Sequence, residues 1–145
     1  MNRVYIDTNV FVYAVGGKSR FRDPCRKFLH AVVGRRVNGE TSAYTVQEVA
    51  HQRRRCGDSN ASARARDVAT MCAVVHPTDR EVVLGALGLI DDLHDLSVAD
   101  AIHAATALAH RVPALVSADS DFDGIPGIER VDPLDGTRLA ALMSG

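Results

Sequence analysis

The chain has 145 residues, of which 46% are hydrophobic and 24% are charged, and its formal net charge is -1. These values are typical of one soluble globular domain, residues 1–145, that is long enough to bury a core. Because the sequence has no apolar run of about 20 residues and no secretory signal, a membrane-spanning protein is excluded and we expect a cytoplasmic one.

The charges are distributed unevenly along the chain. Residues 1–66 carry 13 Lys+Arg and 5 Asp+Glu, whereas residues 67–145 carry 4 and 13. A basic face beside an acidic face would suit a protein that binds a polyanion while it holds cations, unless the two halves mix in the fold. The three cysteines are widely spaced and form no Cys-x-x-Cys pair, so neither a disulfide framework nor a zinc site is expected.

The first element is a short apolar strand that ends in a carboxylate. Val4, Tyr5 and Ile6 predict a buried strand, and Asp7 emerges at its carboxyl end. Open parallel α/β sheets bind their ligands at that edge. Alternatively, Asp7 only caps the short helix that we predict over residues 9–15, because Asp is a good N-cap residue.

The first half continues with helices and a short strand. Apolar spacing predicts a helix over residues 24–34 that begins at Pro24, and then a short strand over residues 40–43. Thr45 followed by Glu48 forms a capping box, which predicts that the next helix begins there and gives Glu48 a purely structural alternative role. Arg53, Arg54 and Arg55 end this helix, where they complement its dipole.

The second half repeats the alternation of helices and strands. Two further capping boxes, Thr78 with Glu81 and Ser97 with Asp100, predict two helix starts. The remaining predicted elements are a helix over 61–73, strands at 74–75, 114–117 and 128–131, a helix over 98–110 and a closing helix over 134–143. This order predicts a three-layer α/β/α sandwich around a central parallel sheet.

Four carboxylates are expected to meet at one edge of that sheet. Asp7 and Asp119 follow strands whose carboxyl ends share an edge, and Glu48 and Asp100 lie in first turns of helices that often start there. Clustered carboxylates repel one another unless a cation neutralises them, and Mg²⁺ or Mn²⁺ with oxygen ligands is the usual solution. Such an ion can activate a water for phosphodiester hydrolysis.

Two alternatives, a calcium-binding loop and a different class of enzyme, fit the sequence less well. Residues 119–124 begin like a calcium-binding EF-hand loop, but Arg130 stands at the twelfth position and Pro126 interrupts the loop. A phosphoryl-transfer enzyme of the haloacid dehalogenase type would need an Asp two residues after Asp7, where this chain has Asn9.

Four motifs together resemble a PIN domain, and the length and spacing resemble VapC-type toxins of prokaryotic toxin–antitoxin pairs. The motifs are Ile6-Asp7-Thr8-Asn9, Val46-Gln47-Glu48-Val49, Ala99 to Ala105 around Asp100, and Ser117-Ala118-Asp119-Ser120-Asp121-Phe122. The resemblance covers nearly the whole chain and implies a Mg²⁺- or Mn²⁺-dependent endoribonuclease. It implies an acidic quartet, Asp7, Glu48, Asp100 and Asp119, which holds the metal, with Asn9, Ser117 and Asp121 as secondary site residues.

The resemblance also implies partners. It implies a structured RNA substrate, usually tRNA or rRNA, a homodimer, and a VapB-type antitoxin whose C-terminal segment occupies the acidic cleft. Arg53, Arg54 and Arg55 are candidate ligands of RNA phosphates. A non-catalytic interaction module with the same fold is the alternative function. His103 lies on the same helix face as Asp100, but such a His is more often a packing residue.

Overall fold

The computed structural model describes all 145 residues. Five strands form one sheet in the order β3-β2-β1-β4-β5, and every neighbouring pair is parallel. The strands are β1 (Arg3–Ile6), β2 (Asn38–Ser42), β3 (Val74–His76), β4 (Ala114–Val116) and β5 (Glu129–Val131). The predicted α/β/α sandwich with a central parallel sheet is therefore confirmed, and β3 and β5 are its edge strands.

Seven helices cover the two faces of the sheet. They are α1 (Thr8–Val15), α2 (Arg22–Val33), α3 (Ala43–Arg55), α4 (Ala61–Met71), α5 (Arg80–Asp92), α6 (Val98–Ala109) and α7 (Gly136–Met143), and one 3₁₀ turn spans Ser120–Phe122. None of these helices has the length and apolar character that crossing a membrane requires.

The core has two parts, one on each face of the sheet. On the first face, buried side chains of α1, α2, α3, α4 and α7 pack against Val4 and Ile6 of β1. On the second face, α5 and α6 pack against Tyr5 and Leu115. Because β1 is central and covered on both faces, its residues Val4, Tyr5 and Ile6 are all apolar or aromatic instead of alternating with polar residues.

The helices of the basic first half contact one another, because α1 packs against α2 and α3, and α3 packs against α4. In the acidic second half, α5 packs on α6. Several alanines of α6, among them Ala101, Ala104 and Ala107, are completely buried. Small side chains let this helix approach the sheet closely. On the other face, Gly39 allows a similarly close approach, because a Cβ there would lie 2.7 Å from Val32 Cγ1 and 2.8 Å from Ile6 Cδ1.

Three of the predicted helix starts are wrong by two residues. α3 begins at Ala43, because Ser42 at the end of β2 is its N-cap and accepts a hydrogen bond from the Thr45 amide at 3.2 Å. Glu48 therefore lies in the second turn and not in a capping box. α2 begins two residues before Pro24, and α7 begins at Gly136, two residues after the predicted start.

The other two capping predictions have different outcomes. Asp79, not Thr78, caps α5, since the Asp79 carboxylate accepts from the Val82 amide at 3.1 Å. Thr78 Oγ1 accepts instead from the Tyr44 amide. Ser97 caps α6 as predicted, because Ser97 Oγ accepts from the Asp100 amide at 3.1 Å.

Candidate active site

The four predicted carboxylates line one cleft of about 250 Å³ at the carboxyl edge of the sheet. Asp7 directly follows β1, and Asp119 lies three residues beyond β4. Asp100 lies in the first turn of α6, and Glu48 enters from the second turn of α3. The strand order explains this convergence, because β1 and β4 are neighbours and their ends meet.

Asp7 is both a helix cap and a wall of this cleft. Its side chain is almost completely buried, with Oδ1 accepting from the Thr8 amide at 2.7 Å and Oδ2 accepting from Ser117 Oγ at 2.7 Å. Burial raises the pKa of Asp7, while the nearby His103 and these two hydrogen bonds oppose that rise. The two interpretations of Asp7, cap and site residue, are therefore compatible.

Ser117 and Asn9 join the ends of the two central strands. Asn9 Nδ2 donates to Ser117 Oγ at 3.1 Å, and Asn9 Oδ1 accepts from the Ala118 amide at 3.3 Å. Ser117 Oγ also accepts from the Asp119 amide at 3.0 Å. These contacts fix the position of Asp119 relative to Asp7.

Glu48 is held in the cleft by two side chains. Thr8 Oγ1 donates to Glu48 Oε1 at 2.5 Å, and His103 Nε2 lies 2.7 Å from the same oxygen. Burial raises the pKa of Glu48, but the hydrogen bonds from His103 and Thr8 outweigh burial and leave that pKa below its ordinary value. The Glu48 carboxylate is therefore ionised at neutral pH.

His103 is fully enclosed, with 1% of its surface exposed. Its Nδ1 lies 2.8 Å from the Tyr5 hydroxyl, and its Nε2 lies 3.3 Å from Asp7 Oδ1. Burial would lower the pKa of His103, but Tyr5, Glu48 and Asp7 outweigh that effect and raise the pKa to about 10. The imidazolium is the one buried cation among these acids.

A second group of acids adjoins Asp7. Carboxylate oxygens of Asp100, Asp119 and Asp121 lie within 4.8 Å of one another. Burial, followed by the neighbouring Asp119, raises the pKa of Asp100 to about 7. Carboxylates this close share a proton or a cation, and a hard divalent ion with oxygen ligands fits the donor set.

Two other groups from the sequence lie outside this arrangement. Arg53 Nε is 2.9 Å from Asp58, so this arginine ties α3 to the start of α4, whereas Arg54 and Arg55 are exposed. Asp123 is bound by Arg130, with Nε–Oδ1 at 2.8 Å and Nη2–Oδ2 at 3.1 Å. Because residues Ser120–Phe122 form a 3₁₀ turn and Arg130 binds Asp123, this segment is not an EF-hand loop.

Sequence reasoning missed His103 and Tyr5 as parts of the site. The signal was present, because His103 is three residues after Asp100 on α6 and shares its face. Nothing in the sequence indicated a role for Tyr5 in the site, because a tyrosine in an apolar strand is usually a core residue. Its hydroxyl instead donates to Ser42 Oγ at 2.8 Å and contacts His103, so the site extends below the cleft floor.

Known proteins are similar to this chain in sequence and fold. Residues 4–128 match the PIN domain family. The chain is 33% identical over 142 residues to Ribonuclease VapC7 of Mycobacterium tuberculosis, covering 97% of each chain. It superposes with a TM-score of 0.67 on a toxin–antitoxin complex from Klebsiella pneumoniae, at 24% identity, covering 90% of this chain and 97% of that one. It superposes with a TM-score of 0.68 on VapC20 of Mycobacterium tuberculosis, a sarcin–ricin loop cleaving toxin, at 14% identity, covering 87% and 98%. The chain therefore belongs to the PIN-domain family and, within it, to the VapC group, as its motifs predicted.

Proposed function

We propose that this protein is a metal-dependent endoribonuclease and the toxin of a VapBC-type pair. The observation that carries the proposal is the meeting of Asp7, Glu48, Asp100 and Asp119 in one cleft. A relative named a ribonuclease, similar over 97% of both chains, supports the same activity. Residues 1–145 act as one domain in this proposal, located in the cytoplasm with its RNA.

Asp7, Asp100 and Asp119 are the residues that would hold Mg²⁺ or Mn²⁺, with Glu48 beside them. When bound, such an ion lowers the pKa of a water and stabilises the leaving oxygen of a phosphodiester. Ser117 and the Thr8 amide keep the Asp7 carboxylate oriented. Glu48, ionised and directed into the cleft, accepts the proton of the attacking water.

Exposed arginines at the end of α3 would contact the RNA backbone. Arg54 and Arg55 lie on the helix that carries Glu48, so an RNA strand bound in the cleft can extend to them. Arg53 is committed to Asp58 and contributes less. Phosphate contacts of this kind make affinity fall with salt concentration and do not read sequence. A structured RNA such as tRNA or rRNA is the proposed substrate.

The proposed protein partners are a VapB-type antitoxin and a second copy of the chain. A basic side chain from the antitoxin would be attracted to the acidic cleft, where Asp100 and Asp119 stand close together. The second copy would cover the exposed apolar face of α5, where Val83, Leu84 and Leu87 share one side of the helix. Light scattering after gel filtration tests this, since a Leu84→Glu variant should be monomeric if α5 forms the interface.

Cleavage of total RNA by antitoxin-free protein tests the proposal. Cleavage is expected with Mg²⁺ or Mn²⁺, and it should be abolished by EDTA and by Asp7→Asn. Asp67→Asn, on the exposed side of α4 and outside both the cleft and the proposed α5 interface, is the matched control and should cleave normally. Cleavage that survives both EDTA and Asp7→Asn contradicts the proposal. A folded protein that binds an antitoxin but never cleaves RNA would instead favour a non-catalytic interaction module.

A further inference from the structure

A buried chain of hydrogen bonds runs beneath the cleft from the sheet to Glu48. It begins at the Tyr5 hydroxyl, which donates to Ser42 Oγ and lies 2.8 Å from His103 Nδ1. It ends where His103 Nε2 meets Glu48 Oε1 at 2.7 Å. The chain of bonds thus connects β1, which Asp7 directly follows, with α6 and α3, which carry Asp100 and Glu48.

The two nitrogens of His103 have separate tasks in this arrangement. Nδ1 is anchored on Tyr5, whose position is fixed by full burial in the central strand. Nε2 faces the cleft, where Glu48, Asp7 and Thr8 lie within 3.3 Å of it. One nitrogen therefore sets the orientation of the ring, and the other presents a donor to the carboxylates.

Glu48 depends on such a donor because of where it lies. It is half-buried in the second turn of α3, and no backbone amide binds its carboxylate, unlike that of Asp7. Its closest partners are the side chains of Thr8 and His103, and the partly exposed Tyr44 side chain lies beside it. Of these, only His103 is enclosed and anchored from behind, so it restricts the Glu48 carboxylate more strongly than Thr8 does.

We propose that His103 is a positioning residue, which holds Glu48 directed into the cleft through the Nε2–Oε1 hydrogen bond. This inference rests on the proposed ribonuclease function for its effect on rate. Losing the bond should lower kcat, because Glu48 then samples orientations in which it does not reach the attacking water. RNA affinity should change little, since His103 is buried and does not contact the substrate.

Two amide variants separate the positioning role from packing. The side-chain nitrogen of His103→Gln can occupy the position of Nε2, whereas the amide of His103→Asn occupies that of Nδ1. We expect His103→Asn to lower kcat about 10- to 100-fold with KM within about 2-fold, the size seen when a group that orients a site carboxylate is lost. His103→Gln should recover most of that loss. His51→Gln, an exposed residue of α3, is the matched control and should leave kcat unchanged. Equal losses in Gln and Asn variants, or a better Asn variant, would overturn the inference.

A second measurement does not need activity. In long-range ¹H–¹⁵N spectra of the imidazoles, Glu48→Gln should shift the Nε2 resonance of His103 more than its Nδ1 resonance, and Tyr5→Phe should do the reverse. If Glu48→Gln leaves the Nε2 resonance of His103 unchanged, the contact is absent in solution and the inference is overturned. If the two variants show these shifts relative to the wild type but the wild-type protein cleaves no RNA, the proposed function fails while the positioning contact stands.

Discussion

Ser117 Oγ donates to Asp7 Oδ2 at 2.7 Å, and this hydrogen bond joins residues at the ends of two neighbouring parallel strands. The same hydroxyl oxygen accepts from the Asp119 amide and from Asn9 Nδ2. One buried hydroxyl therefore sets the distance between two proposed metal ligands. Outer groups that orient ligands in this way affect metal affinity without touching the ion.

Ser117→Ala is expected to weaken Mn²⁺ binding and RNA cleavage about 10- to 100-fold, because Asp7 loses a donor and the Asp119 amide loses its acceptor. Ser117→Thr keeps the hydroxyl and should retain most of both. Calorimetric titration with Mn²⁺ checks affinity, and thermal unfolding confirms that both variants fold. Equal Mn²⁺ affinity in the Ala variant and the wild type would contradict this role of Ser117.

The metal-free protein should lose stability as pH rises from about 6 to about 9. The pKa of Asp100 is raised to about 7, so its folded form binds a proton more tightly than its unfolded form, and this stabilisation is lost as pH rises from about 4 through 7. The pKa of His103 is raised to about 10, so its stabilisation, complete below about 6.5, is lost as pH rises through 10. The two effects have the same sign.

Melting temperatures in EDTA at both pH values measure this loss. Asp100 is partly exposed, so after allowance for solvent screening its share is about 1 kcal/mol, or about 3 °C in Tm. Asp100→Asn should remove that share. Mn²⁺ should stabilise the protein more at the higher pH, because it binds the ionised acids. A metal-free Tm that rises over this interval would show that the acids are not crowded in solution.

Arg130 holds the segment that carries Asp119. Besides its two bonds to Asp123, its Nη1 donates to the Ser117 carbonyl oxygen at 3.0 Å. Lysine cannot make these three bonds together, so Arg130→Lys should cost about 1–3 kcal/mol. Hydrogen exchange of the amides of residues 118–123 should accelerate. The exposed Arg66→Lys is the control, and unchanged exchange in Arg130→Lys would show that the segment is held by other contacts.

Gly39 and Gly88 should respond in opposite ways to alanine. At Gly39 the added Cβ would meet Val32 and Ile6 at under 3 Å, so overpacking is expected to cost about 1–3 kcal/mol. At Gly88, in α5, nothing lies within 4 Å of the added Cβ, and alanine should stabilise the helix by about 0.5–1 kcal/mol. Urea unfolding measures both. A neutral Gly39→Ala would indicate that α2 packs more loosely on β2.

Sequence patterns predicted the sheet, the alternation of helices and strands, and the four acids at one edge. They did so because parallel strands buried on both faces form short apolar runs, and because their carboxyl ends share an edge. Helix starts were predicted less well. Thr45 and Glu48 match a capping box, but Ser42 stands at the end of β2 and caps α3 first. The two possible caps are Ser42 and Thr45, and the choice between them depends on where β2 ends. A local motif at Thr45 contains no information about the end of that strand.

The connections below the cleft could not be read from the sequence. Tyr5 and His103 are 98 residues apart, and their contact depends on how α6 lies across β1. Ser117 and Asp7 are 110 residues apart, and their contact depends instead on the pairing of β1 with β4. The pairing of Asp123 with Arg130 on the edge strand likewise appears only in the structure.

The dependence of RNA cleavage on Mn²⁺ tests the central claim most directly. Initial rates are measured over a range of Mn²⁺ concentrations for the wild type, Asp119→Asn and the control Asp67→Asn. We expect no cleavage without metal, matching curves for wild type and Asp67→Asn, and at least about 10-fold more Mn²⁺ for half-maximal rate in Asp119→Asn. Cleavage without metal, or an Asp119→Asn curve that matches the wild type, would contradict a metal-holding acidic cleft.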